Sequence, residues 1–122
     1  MELEINHVEF LTKGQYKMVD NSEIKHFFSI IKPYRQDFLI HPKEEDGKIM
    51  AQHFAYLQTL LATGKLFLAG PTLIEKDPFG VLIFETNSIS EAKELLENDP
   101  SIKAGIQLIH DLRPMRVSLY KK

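Results

Sequence analysis

Residues 81–91, VLIFETNSISE, decide the fold class, because they place a strand directly before a helix. The apolar residues at 81–84 favour a strand that is covered on both faces. Ser88 and Glu91 have the spacing of a capping box, in which the serine and glutamate side chains bind free backbone amides at a helix N-terminus. The stretch therefore predicts a buried strand, followed by a helix that runs to about Asn98.

A longer amphipathic helix is predicted upstream of this strand. Acidic residues at 44–46 favour the positive end of a helix dipole, and Gly64 adopts at little cost the left-handed conformation that ends a helix. Between them, side chains at helical spacing form one stripe, which is apolar except for a histidine. The stripe consists of Ile49, Met50, His53, Phe54, Leu57, Leu60 and Leu61.

Three further strands complete the predicted sheet. They are a short strand at Asp37–His41, a strand at Lys65–Ile74 and a last strand within Ile106–Tyr120. In the last strand the apolar residues change sides beside Pro114, as a β-bulge there would produce. The resulting order of strand, helix, strand, strand, helix, strand is the split β-α-β arrangement of a ferredoxin-like domain, an α+β fold with an antiparallel sheet.

The N-terminal segment is less regular. Residues 1–34 are predicted to form an extension to a domain at residues 35–122. Imperfect alternation allows a short strand at 3–10, and apolar residues at helical spacing indicate a helix at Ile24–Ile31 that ends at Pro33. The residues at helical spacing are Ile24, Phe27, Phe28 and Ile31.

The composition narrows the class of function. The chain has 122 residues, no cysteine and a formal net charge of −2. The lack of cysteine excludes thiolate metal sites and a cysteine nucleophile, and the charge gives no sign of a basic nucleic-acid surface. No glycine-rich phosphate loop occurs, and the apolar run 81–84 is far short of the ~20 residues of a membrane span. We therefore expect a cytoplasmic protein that takes a small-molecule substrate, with no cofactor, metal, nucleic-acid partner or membrane partner.

The apolar strands indicate that both faces of the sheet must be covered. Two helices cover only one face of a four-stranded sheet, yet residues 66–69 and 81–84 are apolar on both faces. Either the N-terminal extension or a second subunit has to cover the other face. We favour a homodimer, because sheets of this kind commonly close by isologous pairing.

A series of short motifs carries a family resemblance. Along the chain they are His53 with Leu57, Gly64-Lys65-Leu66, Ala69-Gly70-Pro71, Glu91-Ala92, Asp99-Pro100, Ala104-Gly105 and Pro114-Met115. In this order and spacing, the chain from about Asp37 to Tyr120 resembles the YciI-like (YCII-related) family of the dimeric α+β barrel superfamily. The resemblance implies a ferredoxin-like subunit that pairs with a second copy through its sheet.

The resemblance also implies an activity. Some relatives are similar to dehalogenating or hydrogen-chloride-eliminating enzymes that act on chlorinated ring-cleavage lactones or hydroquinones, and a His–Asp pair is their suspected catalytic unit. By position, this pair corresponds to His53 and Asp99 here. The chain departs from members that carry an acidic residue directly before the helix-ending glycine, since it has Ala62 and Thr63 there.

The chemistry of these residues fits proton transfer. Neutral imidazole is a good general base near neutral pH, and a carboxylate that accepts from its other ring nitrogen fixes the tautomer and stabilises the imidazolium. The alternatives are a structural His53 bonded to a backbone carbonyl, and an Asp99 that only binds amides at a helix end. Thr72 and His110 are candidate substrate-binding residues, against the alternatives of an ordinary strand threonine and a core or interface histidine.

Three functions of different class remain open at this point. The first is a small cofactor-independent enzyme in which the His–Asp pair transfers a proton during elimination, lactone or dehalogenation-type chemistry on a small anionic or ring-derived molecule. The second is a non-catalytic module that binds a small ligand or assists a neighbouring enzyme. The third is an interaction protein whose barrel only dimerises.

Overall fold

A computed structural model describes residues 24–35 and 43–121 of the chain. Its strands form one four-stranded antiparallel sheet in the order β2-β3-β1-β4. The elements are β1 His26–Pro33, α1 Glu44–Ala62, β2 Leu66–Pro71, β3 Gly80–Glu85, α2 Ile89–Glu97, α3 Pro100–Lys103 and β4 Gln107–Met115. The predicted α+β fold with an antiparallel sheet is thereby confirmed.

The first strand corrects one prediction. The helix expected at Ile24–Ile31 is wrong, since His26–Pro33 forms β1, which pairs with β3 on one side and β4 on the other. Burial alternates along it, with Phe27, Ser29 and Ile31 at 4%, 0% and 1% exposure, as a strand with one covered face requires. Residues 26–33 of the predicted extension are therefore part of the sheet.

Two other predicted strands cannot be compared with the structure. The strands expected at residues 3–10 and at Asp37–His41 both lie outside the described residues. The place that Asp37–His41 had in the predicted element order is taken by β1. β2 begins close to its predicted start but ends at Pro71 rather than at Ile74.

The core lies between the sheet and its helices. Alternate residues of the three neighbouring strands β1, β2 and β3 face the same side, where they meet apolar side chains of α1 and α2. Full burial of each large apolar side chain stabilises the fold by roughly 1.5–3 kcal/mol. The buried cluster consists of Phe27, Ile31, Leu60, Leu66, Leu82, Phe84, Ala92 and Leu96.

The β-bulge of β4 lies at a different residue from the one predicted. Ile30 pairs with Asp111 and Ile31 pairs with Ile109, so His110 is the extra residue in the ladder. The expectation of a bulge beside Pro114 is wrong, because Pro114 pairs in regular register. A proline is tolerated there because β4 is an edge strand of the sheet.

The helix ends follow their capping residues. The Ser88 hydroxyl accepts the Glu91 amide at 3.1 Å, and the Glu91 carboxylate accepts the Asn87 amide at 3.1 Å, which confirms the predicted capping box. α1 ends next to Gly64, whose φ of +79° favours glycine. These caps fix where α1 ends and where α2 begins.

The opposite face of the sheet is apolar at its centre and partly open. From the strand register, four half-buried residues lie on it: Phe28, Ile30, Val81 and Ile83. Leu68 and Leu108 lie on the same face and are 45% and 54% exposed. In addition, no helix among the described residues is long and apolar enough to cross a membrane.

Candidate active site

The structure brings together the histidine and the aspartate that the sequence singles out. His53 projects from the middle of α1, and Asp99 lies between α2 and α3. The His53 Nδ1 atom is 2.7 Å from Asp99 Oδ2, and the two residues are only 9% and 1% exposed. Their contact is therefore a buried polar pair, whereas a catalytic role for it stays a prediction.

Asp99 contacts both His53 and the start of α3. As N-cap of α3, its Oδ1 atom accepts hydrogen bonds from the Ser101 amide and the Ser101 hydroxyl, each at 2.8 Å. Its Oδ2 atom faces His53. Because an ionised carboxylate only accepts hydrogen bonds, this environment suits a charged Asp99 and a proton on His53 Nδ1.

Two further residues extend this hydrogen-bonded group. The Gln107 side-chain amide donates to the Ser101 hydroxyl at 3.0 Å, and that hydroxyl also lies 3.4 Å from His53 Nδ1. Both residues are buried. Sequence reasoning missed them. The sequence signals that could have pointed to them are weak. Ser101 follows Asp-Pro at a helix start, and Gln107 is a polar residue within the apolar strand Ile106–Ile109.

A cavity of about 330 Å³ opens beside His53. It lies between α1 and the neighbouring ends of the strands and the β2–β3 loop, and its walls are mostly apolar. Among the described residues that line it, none is Lys, Arg, Asp or Glu. Since Asp99 engages Nδ1, the Nε2 atom of His53 is the ring nitrogen left for a molecule in the cavity. Apolar residues of the wall include Met50, Phe54, Leu57, Pro71 and Phe79.

The two candidate substrate-binding residues lie in different places. Thr72 lines the cavity, and its hydroxyl donates to the Phe79 carbonyl oxygen at 3.1 Å, so its proton closes the β2–β3 loop. The Phe79 amide approaches the same hydroxyl at 3.4 Å. His110 is exposed at the bulge of β4 and is not among the residues that line the cavity.

The electrostatic effect of Asp99 reaches one neighbouring side chain. Tyr56 follows His53 on α1 and donates its hydroxyl hydrogen bond to the Leu95 carbonyl oxygen at 2.8 Å. Burial raises the pKa of Tyr56, and the negative charges of Asp99 and Glu94 raise it further. Within residues 24–35 and 43–121, no group of three or more His, Cys, Asp or Glu side chains could hold a metal ion.

Comparisons with known proteins agree with this architecture. The solved structure of 5-chloro-2-hydroxyhydroquinone dehydrochlorinase (TftG) from Burkholderia phenoliruptrix AC1100, in complex with 2,5-dihydroxybenzoquinone, is similar to the chain at 32% sequence identity and a TM-score of 0.50. The similarity covers 74% of this chain and 91% of that one. No curated protein matches significantly. The family model of the YCII-related domain matches residues 26–116, from the start of β1 to the end of β4, and the chain therefore belongs to the YCII-related family.

Proposed function

We propose that this chain is a small acid–base enzyme that removes a leaving group, such as chloride, from a small ring-derived molecule. One observation carries the proposal: His53, held at Nδ1 by a buried carboxylate, forms part of the wall of an otherwise mostly apolar cavity. An imidazole with one nitrogen engaged in this way presents the other as a base.

In the proposed reaction, the chlorinated hydroquinone reacts in its keto form, in which the proton of one ring hydroxyl has moved to the carbon that bears chlorine. His53 Nε2 takes the proton of the other hydroxyl. The electron pair of the broken O–H bond forms a carbonyl π bond, the ring double bond shifts towards the chlorinated carbon, and chloride leaves with the electron pair of the C–Cl bond, which gives a quinone. Asp99 stabilises the imidazolium that results, since its Oδ2 atom accepts from Nδ1. Apolar walls exclude water, which strengthens this electrostatic interaction.

Two observations support a ring as the substrate. A cavity of about 330 Å³ is at the small end of the range for ligand pockets and suits one ring. No cationic side chain lines it among the described residues, so an uncharged ring fits these walls better than an anion does. The similar structure, a dehydrochlorinase with a bound dihydroxybenzoquinone, supports the same class of reaction and substrate.

The test is a His53→Asn variant assayed for chloride release from chlorohydroquinone and related chlorinated hydroquinones. We expect kcat/KM to fall by about 100-fold or more, which is the usual contribution of a general base. His110→Asn is the matched control, because it makes the same change at an exposed position away from the cavity.

Two results would contradict the proposal. One is a His53→Asn variant that releases chloride as fast as His110→Asn. The other is a wild-type protein that binds these hydroquinones and releases no chloride, which would favour the non-catalytic ligand-binding module instead.

We also propose that the chain works as a homodimer whose subunits pair through the open sheet face. The face is apolar at the centre of β1 and β3, with the His26–Glu85 pair at one end, and Leu68 and Leu108 extend the apolar part to both edges of the sheet. A second copy offers the same surface, so an isologous contact would cover both faces at once. Light scattering of the wild type is expected to give twice the chain mass of 14.1 kDa.

A further inference from the structure

Ser101 stands at the centre of a hydrogen-bonded chain behind the His53–Asp99 pair. Its hydroxyl donates to Asp99 Oδ1 at 2.8 Å and accepts from the Gln107 side-chain amide at 3.0 Å. Ser101 is 0% exposed and Gln107 6% exposed, so water does not compete for these bonds. Neither residue acts on the substrate in the proposed reaction.

We infer that Ser101 and Gln107 are positioning residues, which set how strongly the Asp99 carboxylate holds a proton on His53. The inference rests on the proposed function, in which His53 is the base. It names no new step: the proton still passes between substrate and His53 Nε2, and Asp99 still accepts from Nδ1.

The donors to Asp99 determine how its negative charge is shared. It accepts from the Ser101 amide, the Ser101 hydroxyl and His53. Each donor spreads part of the charge, so the loss of one leaves more of it directed at the imidazole. Removal of the hydroxyl therefore strengthens the attraction of Asp99 for the proton on His53.

Gln107 fixes the direction of the Ser101 hydroxyl. The hydroxyl has one proton and two nearby acceptors, Asp99 Oδ1 at 2.8 Å and His53 Nδ1 at 3.4 Å. The Gln107 N–H occupies a lone pair of Oγ, which keeps the Ser101 proton directed at Asp99. A glutamate at this position would accept that proton instead and would add a negative charge beside the pair.

Among the described residues, Tyr56 on α1 is an ionisable group on which the charge of Asp99 acts. Its raised pKa keeps it neutral through the range in which a histidine titrates. Glu94 acts on the same tyrosine from α2. Both are unchanged in the variants below, so a difference in titration between the variants reports on Ser101 and Gln107.

The experiment follows the ring protons of His53 by NMR as the pH is varied, without substrate. We expect the titration midpoint to rise in Ser101→Ala by about one pH unit, the equivalent of one hydrogen bond to a charged group. It is expected to rise further in Gln107→Glu. Ser29→Ala is the control, since Ser29 is equally buried but donates to the Leu82 carbonyl oxygen at 2.9 Å, away from the pair.

A purely structural role would lower stability without moving this midpoint. A midpoint in Ser101→Ala and Gln107→Glu equal to that of Ser29→Ala would overturn the inference. If Ser101→Ala does not fold, Gln107→Leu decides, because it removes the N–H donor to Ser101 without adding a charge. Its midpoint should also lie above that of Ser29→Ala, and an equal midpoint would overturn the inference. A shifted midpoint together with full turnover by His53→Asn would uphold the inference and refute the proposed function, so the two failures are distinguishable.

Discussion

At the scale of single residues, Asp99 is the position of the site that most strictly requires a carboxylate. It is 1% exposed, and every contact described above makes it an acceptor. In Asp99→Asn, one carboxylate oxygen becomes an amide that donates, so the group facing His53 no longer favours the Nδ1–H tautomer. We expect kcat to fall by about 100-fold and by no more than in His53→Asn, because Asp99 acts only through His53.

The control for this prediction is Asp111→Asn on β4. Asp111 forms an ion pair with Arg113 at 2.8 Å and is not among the residues that line the cavity. The assay is chloride release, and circular dichroism checks that both variants fold. Equal activity of Asp99→Asn and Asp111→Asn would show that the carboxylate near His53 has no catalytic part.

The residues of the site differ in how far the sequence could predict them. His53 interrupts an apolar helical stripe, and Asp99 precedes a proline where a helix ends, so each stands out from its surroundings. Ser101 and Gln107 do not, because their importance comes from which neighbours the fold brings within 3.0 Å. Thr72 lines the cavity and its hydroxyl donates within the β2–β3 loop, so a part for it in substrate binding stays a prediction.

At the scale of secondary-structure elements, Glu91 links the start of α2 to Lys65, the residue directly before β2. The hydrogen bond from the Lys65 ammonium at 2.7 Å, and then that from the Asn87 amide, lower the pKa of Glu91. A lowered carboxyl pKa stabilises the folded state above the ordinary carboxyl range. That stability is lost as the pH falls through the lowered value.

We therefore expect Glu91→Gln to lower the free energy of unfolding by about 0.5 kcal/mol near neutral pH, since the pair is partly exposed. The difference from wild type should shrink as the pH falls below the ordinary carboxyl value of about 4.3. Urea unfolding at several pH values measures it. Glu97→Gln, at the exposed far end of the same helix, is the control. A difference that is independent of pH would contradict the role of the charge.

For some helix ends, local sequence signals are enough for a correct prediction. The start of α2 and the end of α1 follow from capping side chains and a glycine, which act within a few residues of the chain. β1 was predicted as a helix, because apolar residues spaced by three and four also occur in a strand that is apolar on both faces. Only its pairing with β3 and β4 decides between the two. The bulge at His110 likewise depends on register with β1.

At the scale of the whole molecule, the open sheet face links the fold to assembly. Leu108 is 54% exposed on this face, so it would become buried if two copies pair through their sheets. A glutamate there would place an unpaired carboxylate in the interface, and burial of such a charge is strongly unfavourable. We expect Leu108→Glu to be a folded monomer at micromolar concentration.

The matched control is Leu61→Glu on α1, where the leucine is 56% exposed and lies away from the sheet face. Both variants add the same charge at nearly the same exposure, so general effects of a surface carboxylate cancel in the comparison. Light scattering should give a dimer for wild type and Leu61→Glu and a monomer for Leu108→Glu. A monomeric wild type, or a dimeric Leu108→Glu, would mean that the apolar face serves some purpose other than pairing of two copies.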